Sequence, residues 1–248
     1  MLHGPQRGMF DVEFRIPAGC ADQLAAGAAD IGIVPSFELT RQDLEIIPGV
    51  GIACHGAVRS ILLISKCPAA QIRTLAVDAS SRTSVELARV ILARRYGAAP
   101  VQTAQAPDLD AMLATADAAL IIGDPALGID PAKPDPASAG KFVYDLGAEW
   151  LQMTGLPMVF AVWAGRKGVV TPEVGEAFRG SCRYGLEHMD EIVAAESVAR
   201  GFAPEVVREY LTRYIVHELG PREYQGMELF LEYARPGGMR EWKPLAQV

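Results

Sequence analysis

The sequence predicts an α/β protein whose elements divide into two lobes with a ligand cleft between them. Three observations carry this expectation. Short runs rich in β-branched and aliphatic residues alternate with helical stretches as far as Arg166, the pattern of α/β folds with mainly parallel pairing. One α/β unit then gives way to a second of different spacing. After Arg166 the chain turns almost entirely helical, as closing helices would. Lobes joined by crossing strands place a cleft at their junction, where small molecules bind most readily.

In chain order, strands are expected at VEFRI (12–16), DIGIVP (30–35), RSILLIS (59–65), TLAVD (74–78), AALIIG (118–123), FVYD (142–145) and MVFAVWA (158–164). Between the first two, GCADQLAAGAA is a short helix rich in Ala and Leu. From Ser84 to Tyr96, Val85, Ala88, Ile91 and Leu92 form one apolar stripe. Arg94 and Arg95 stand in its last turn, where cations suit the helix dipole. The proline-rich stretch at 129–141 precludes a helix or central strand. Beyond Arg166, two further stripes recur at helical spacing: Val174, Phe178, Cys182, Met189 and Val193, then Val207, Tyr210, Leu211, Tyr214 and Ile215. Pro204 suits a first helical position, and Gly220-Pro221 and Pro236-Gly237-Gly238 are stop signals. The exchange points are expected within strands 59–65 and 158–164. Residues 66–160 would then form an inserted lobe, and 1–65 with 161–248 the other.

Composition bounds the function. The 248 residues are 50% hydrophobic and 21% charged, which excludes disorder, a collagen-like chain and a disulfide miniprotein. A net charge of −7 without any long run of like charge leaves no nucleic-acid footprint. Cys20, Cys54, Cys67 and Cys182 stand far apart without zinc spacing, so free thiols and a reducing compartment are expected. No apolar run approaches the about 18 to 20 residues of a membrane helix, and the opening residues carry no signal-peptide pattern, so the cytoplasm is the expected location.

The stretch Asp78–Ser84, between a strand and a strong helix, concentrates candidate chemistry. Amide groups at a helix N-terminus lack intrahelical partners and carry partial positive charge. With the Ser81, Thr83 and Ser84 hydroxyls and the Arg82 cation they could hold a carboxylate. The same residues also suit a simple cap. Gly123-Asp124, where a buried strand stops, could position a ligand hydroxyl or be a turn before Pro125. Asp145 and Trp150 flank another strand-to-helix junction, facing the cleft or serving as cap and core. Ser36 and Ser60 fall on the first lobe's lip. A lone His55 is more often structural than catalytic. No catalytic triad order, phosphate loop, dinucleotide fingerprint or metalloprotease motif occurs. The residues alone reach a two-lobed binder of a small anion.

The runs ADIGIVPSFEL, VRSILL, DASSRTSVELARVIL, YDLGAEWLQMTGLPMVFAVWA and YLTRYIVHELGPREYQGMELFLEYA, over about residues 29–235, resemble the chorismate dehydratase family of the futalosine route to menaquinone. The resemblance implies a type II periplasmic-binding-protein-like fold with an interlobe cleft and C-terminal helices. It also implies a cytoplasmic enzyme that converts chorismate to 3-[(1-carboxyvinyl)oxy]benzoate and water without metal or organic cofactor. It assigns Thr83, Ser84 and their helix N-terminus to one substrate carboxylate, and Ser36 and Ser60 to the opposite lip. The proton acceptor is Asp145, Asp124 or, in the favoured reading, the substrate's own enolpyruvyl carboxylate. Members of the family begin with a strand ending in a Tyr-Leu-Asn-like segment, which this sequence is expected to lack, leaving an exposed sheet edge. Two other readings share the architecture: the 1,4-dihydroxy-6-naphthoate synthase of the same route, and a non-catalytic solute receptor. A helical tail could brace the first lobe, the favoured reading, or join a homodimer.

Overall fold

The computed structural model describes residues 1–78, 80–129 and 140–235. Two sheets form. One has the strand order β1-β8-β2-β9, built from β1 (Ile31–Pro35), β2 (Leu44–Cys54), β8 (Met158–Arg166) and β9 (Val216–Glu218). The other has the order β5-β4-β6-β3-β7, from β3 (Ile61–Ser65), β4 (Thr74–Val77), β5 (Val101–Ala104), β6 (Ala118–Ile122) and β7 (Phe142–Asp145). The chain passes between sheets ahead of β3 and again ahead of β8. The exchange therefore falls in connecting segments, not within the strands where the sequence pattern suggested it.

Pairing corrects a second expectation. Among the described residues only β4 with β5 and β4 with β6 pair in parallel, and every other pairing, of β3 with β6 and β7, of β8 with β1 and β2 and of β2 with β9, is antiparallel. The reason is topological: β3 enters and β8 leaves between the sheets, and each runs against its neighbours. VEFRI is not a strand, because the chain there pairs with nothing and Phe14 and Ile16 lie exposed. Helix α1 (Pro17–Ala25) follows it at once. β2 escaped the sequence pattern because Pro48 and Gly49 interrupt it. Its register against β8 shifts between Ile46 and Gly51, a bulge where Gly49 takes φ 88°.

Helix α2 (Arg82–Tyr96) forms as the stripe requires, capped by the Ser81 hydroxyl on the Ser84 amide, with Leu87, Ala88, Val90, Ile91 and Leu92 buried. Short α3 (Leu109–Thr115) and α4 (Asp124–Leu127) precede α5 (Leu146–Thr154). The proline-rich stretch at 129–141 lies, apart from its ends, outside the described residues, as does Pro236-Gly237-Gly238. After β8 come α6 (Pro172–Glu187), α7 (Met189–Arg200) and α8 (Pro204–Glu209), with Pro204 in its first turn. The stripe at 207–215 does not stay α-helical. Tyr210–Tyr214 widens into a π-helix and then yields β9. Pro221 opens the closing helix α9 (Pro221–Ala234). Phe230 and Tyr233 of α9 pack edge-on against Trp150 of α5, and Arg94 of α2 lies over the Tyr233 ring. α9 also packs on β8, so the tail clasps both lobes.

Candidate active site

The ends of β4, β6 and β7 and the start of β3 share one edge of the second sheet. They face the ends of β1 and β2 and the start of β8 across the lobe junction. The sequence builds this edge by stopping each apolar strand at a polar turn. After β4, Asp78 accepts the Ser80 amide and Ser81 caps α2. This brings Thr83 against the first lobe, where its Oγ1 accepts the Phe37 N–H at 3.2 Å and lies 3.4 Å from Ser36 Oγ. Ser36 donates its hydroxyl to the Val159 carbonyl at 2.7 Å, so Thr83 is the donor of the hydroxyl pair. Ser36, Thr83 and Ser84 are fully buried. Ser84 Oγ shares a 2.8 Å contact with Ser81 Oγ. Two hydroxyls, Ser36 and Thr83, therefore meet across the seam, with the Ser81–Ser84 pair beside them in the first turn of α2, where the helix N-terminus favours an anion.

Arg82 does not point at a free ligand position. Its guanidinium crosses the junction to Glu38 at 3.0 Å and Asp22 at 2.8 Å. Glu38 is itself buried and also receives Arg41 and Gln42. Arg82 is thus committed to an interlobe pair.

The second cluster surrounds Ser60. Its carbonyl accepts the Gly123 N–H at 2.8 Å, and Tyr210 of the π-helix donates its hydroxyl to Ser60 Oγ at 2.9 Å. Asp124, about half exposed, pairs with Arg200 of α7 at 2.8 Å, a further contact across the junction. Burial pushes the Tyr210 phenol up, so it stays protonated at neutral pH.

Asp145 is where the structure departs most from a catalytic assignment. Its carboxylate accepts N–H groups from Val58, Arg59, Gly147 and Ala148 at 2.7 to 3.1 Å. A carboxylate offers about four lone-pair directions, and here all are taken by backbone. Asp145 caps α5 and clamps the crossing segment. Trp150 is likewise core, not cleft: it has no exposed surface and its Nε1 donates to the Pro157 carbonyl at 3.0 Å. His55 lies outside the seam, bonded to Glu223 at 2.6 Å. The cysteines are free, and burial lifts the Cys54 thiol to about 12, leaving it neutral. Among the described residues no three metal-ligating side chains gather, and no helix is long and apolar enough to cross a membrane. Two open surface grooves, of about 500 and 320 Å³, lie along α8, the π-helix and β9 and are lined by none of Ser36, Ser60, Thr83 or Tyr210.

The structure thus brings together Ser36, Ser81, Thr83 and Ser84 at one place and Ser60, Gly123 and Asp124 at another. Glu38, in the segment 35–38 expected on the first lobe's lip, stands at the seam, and Tyr210 and Arg200 join it without having been expected there. The only sequence signal for Tyr210 was its place in a stripe, which pointed to core.

Comparison with known proteins agrees with this architecture. Residues 3–236 match the family model described as menaquinone biosynthesis. A curated relative, chorismate dehydratase from Thermus thermophilus, is 32% identical over 236 residues, covering 90% of this chain and 86% of the relative. Among solved structures, a protein from Archaeoglobus fulgidus superposes with a TM-score of 0.67 at 19% identity, covering 90% of this chain and 84% of that one. The periplasmic aliphatic sulphonate binding protein of Escherichia coli gives 0.56 at 18% identity, with 89% and 80% covered. A Candida albicans protein described as having the generic periplasmic binding protein fold gives 0.53 at 13% identity, with 94% and 81% covered. The chain has the periplasmic-binding-protein-like fold.

Proposed function

The chain belongs to the menaquinone biosynthesis family, and on that premise we propose that it is a chorismate dehydratase, a hydro-lyase of the cytoplasm that forms 3-[(1-carboxyvinyl)oxy]benzoate and water. The observation that carries the reading, beside the 32% identical relative of that name, is the buried hydroxyl array at the α2 N-terminus. Chorismate is a dianion, and Thr83, Ser84 and Ser36 with the first α2 amides make a receptor for one of its carboxylates. The anion takes the place of the contact between the Ser36 and Thr83 hydroxyls.

The reaction breaks a C–H bond at the ring carbon bearing the enolpyruvyl ether and a C–O bond at its hydroxyl-bearing neighbour. The ring becomes aromatic, which supplies the driving force. The protein's tasks are orientation and proton management. With the Asp145 carboxylate saturated by backbone amides and Asp124 paired to Arg200, the enolpyruvyl carboxylate of the substrate takes the proton.

Purified protein incubated with chorismate is expected to release the aromatic product, followed by chromatography with mass detection. Thr83→Val is expected to lower kcat/KM by about 10- to 100-fold, the loss of one hydrogen bond to a charged group. Binding of chorismate without product would overturn the enzymatic reading in favour of a receptor.

A further inference from the structure

The Tyr210–Ser60 pair sits where three unusual backbone features meet. Tyr210 opens a π-helix of five residues, a form that is rare and found mostly at functional sites. Arg59, immediately before Ser60, takes φ 67°, the one non-glycine residue with positive φ among those described. Such strain is unfavourable and persists only where surroundings enforce it. Here the enforcement is visible, because the Arg59 N–H is held by Asp145 at 2.7 Å. Gly123, whose N–H holds the Ser60 carbonyl, takes φ 68° and ψ −145°, a conformation only glycine adopts readily. Three separate segments thus spend conformational freedom on fixing Ser60 and aiming one phenol at it.

The sheet order locates this pair relative to the anion receptor. β4, which feeds α2, and β3, which follows Ser60, are separated only by β6. Two strand spacings are roughly 10 Å, a span that a six-membered ring with polar groups at opposite ends bridges. In chorismate the departing hydroxyl stands across the ring from the ring carboxylate. A ring carboxylate on α2 therefore points its leaving group toward Tyr210.

We propose that Tyr210 is the acid of the reaction, its phenolic proton turning from Ser60 Oγ to the departing hydroxyl while the Ser60 hydroxyl donates back to the phenol oxygen and so positions it. The proposal rests on the dehydratase reading above. The balance is complete without a co-reactant. The C–H proton passes to the enolpyruvyl carboxylate, the electron pair of that bond becomes ring π density, and the C–O pair leaves with oxygen. The Tyr210 O–H proton converts that oxygen to water, and the tyrosinate, which the paired Asp124 and Arg200 both face, regains a proton from the substrate carboxylic acid or from solvent. Hydroxide is a far stronger base than tyrosinate, so the transfer runs downhill.

The test compares two leaving groups on wild type, Tyr210→Phe and Ser60→Ala: chorismate itself, and the analogue with fluorine in place of the ring hydroxyl, whose fluoride departs without an added proton. Tyr210→Phe is expected to lose about 10²- to 10⁴-fold in kcat on chorismate with little change in KM, and less than about tenfold on the fluoro analogue. Ser60→Ala, which keeps the phenol but releases its aim, is expected to lose about tenfold on chorismate alone. It also serves if the Phe variant fails to fold. Equal losses on both substrates, or a Tyr210→Phe enzyme within about threefold of wild type on chorismate, would overturn the proposal while wild-type turnover keeps the dehydratase reading. A wild type inert on chorismate overturns both.

Discussion

Asp145 offers the sharpest quantitative expectation, because clamp and base make opposite demands on it. Asp145→Ala removes the cap of α5, costing about 1 kcal/mol. It also leaves the Val58 and Arg59 amides without their acceptor, at about 1 to 3 kcal/mol each. Some of this returns when Arg59 relaxes from φ 67°, a conformation worth about 1 to 3 kcal/mol of strain. The net expectation is a loss of about 2 to 4 kcal/mol. Asp145→Asn keeps one oxygen as acceptor but turns a donor toward the Arg59 N–H. It is expected to cost about 1 to 3 kcal/mol while retaining kcat within about tenfold, since no proton passes through it. Urea unfolding reads the first quantity as a lower midpoint at unchanged slope, and turnover at saturating chorismate reads the second. An Asn variant with the wild-type midpoint and kcat reduced by about 10³-fold or more would refute the clamp and make Asp145 the base.

Arg82→Ala breaks the interlobe pairs with Glu38 and Asp22. It is expected to raise KM for chorismate about tenfold with a smaller effect on kcat, and to enlarge the radius of gyration measured by X-ray scattering. Glu223 is pulled two ways: burial raises its carboxyl, but hydrogen bonds from His55 and the Gly220 amide outweigh this and hold it below the ordinary 4.5. Its stabilising contribution is therefore complete above that value and lost as pH falls through the depressed one. His55→Ala is accordingly expected to shift the acid-unfolding midpoint to higher pH, followed by circular dichroism. Gly226 of α9 passes so close to the Pro157 carbonyl that a Cβ would overlap it. Gly226→Ala is expected to destabilise by about 3 kcal/mol, the upper end of what overpacking costs, seen as a lower melting temperature.

Where local chemistry decided the structure, it was legible in the sequence. Ser81, the apolar stripe of α2 and the cations Arg94 and Arg95 specify that helix without help from elsewhere. The apolar runs of β3, β4, β6 and β8 are buried on both faces and could be little else. What stayed hidden depends on partners distant in the chain. VEFRI has strand alternation but no neighbour to pair with, whereas β2, broken by Pro48 and Gly49, becomes a strand because β8 and β9 lie on either side of it. Arg82 looked like a ligand cation because Glu38 and Asp22, 44 and 60 residues away, cannot be seen beside it. Tyr210 looked like core because its spacing is helical, and only the widened turn turns it to Ser60.

The forces closing the seam differ in kind from those joining the lobes, and this difference sets how a ligand enters. Across the seam run Arg82 to Asp22 and Glu38, and Arg200 to Asp124, with most of the participating side chains well exposed. The Arg82–Asp22 and Arg200–Asp124 pairs are exposed and worth about 0 to 1 kcal/mol each, and Glu38, although buried, keeps Arg41 and Gln42 as partners when Arg82 leaves it, so the polar flanks are the cheaper side to open. The strap is apolar: Phe230 and Trp150 are fully buried against each other, and burying such rings is worth several times an exposed ion pair. Opening therefore takes the polar flanks apart while α9 keeps its grip on α5. A dianionic substrate can replace the weak contacts it displaces with stronger ones to the α2 N-terminus, and closure is favoured by binding.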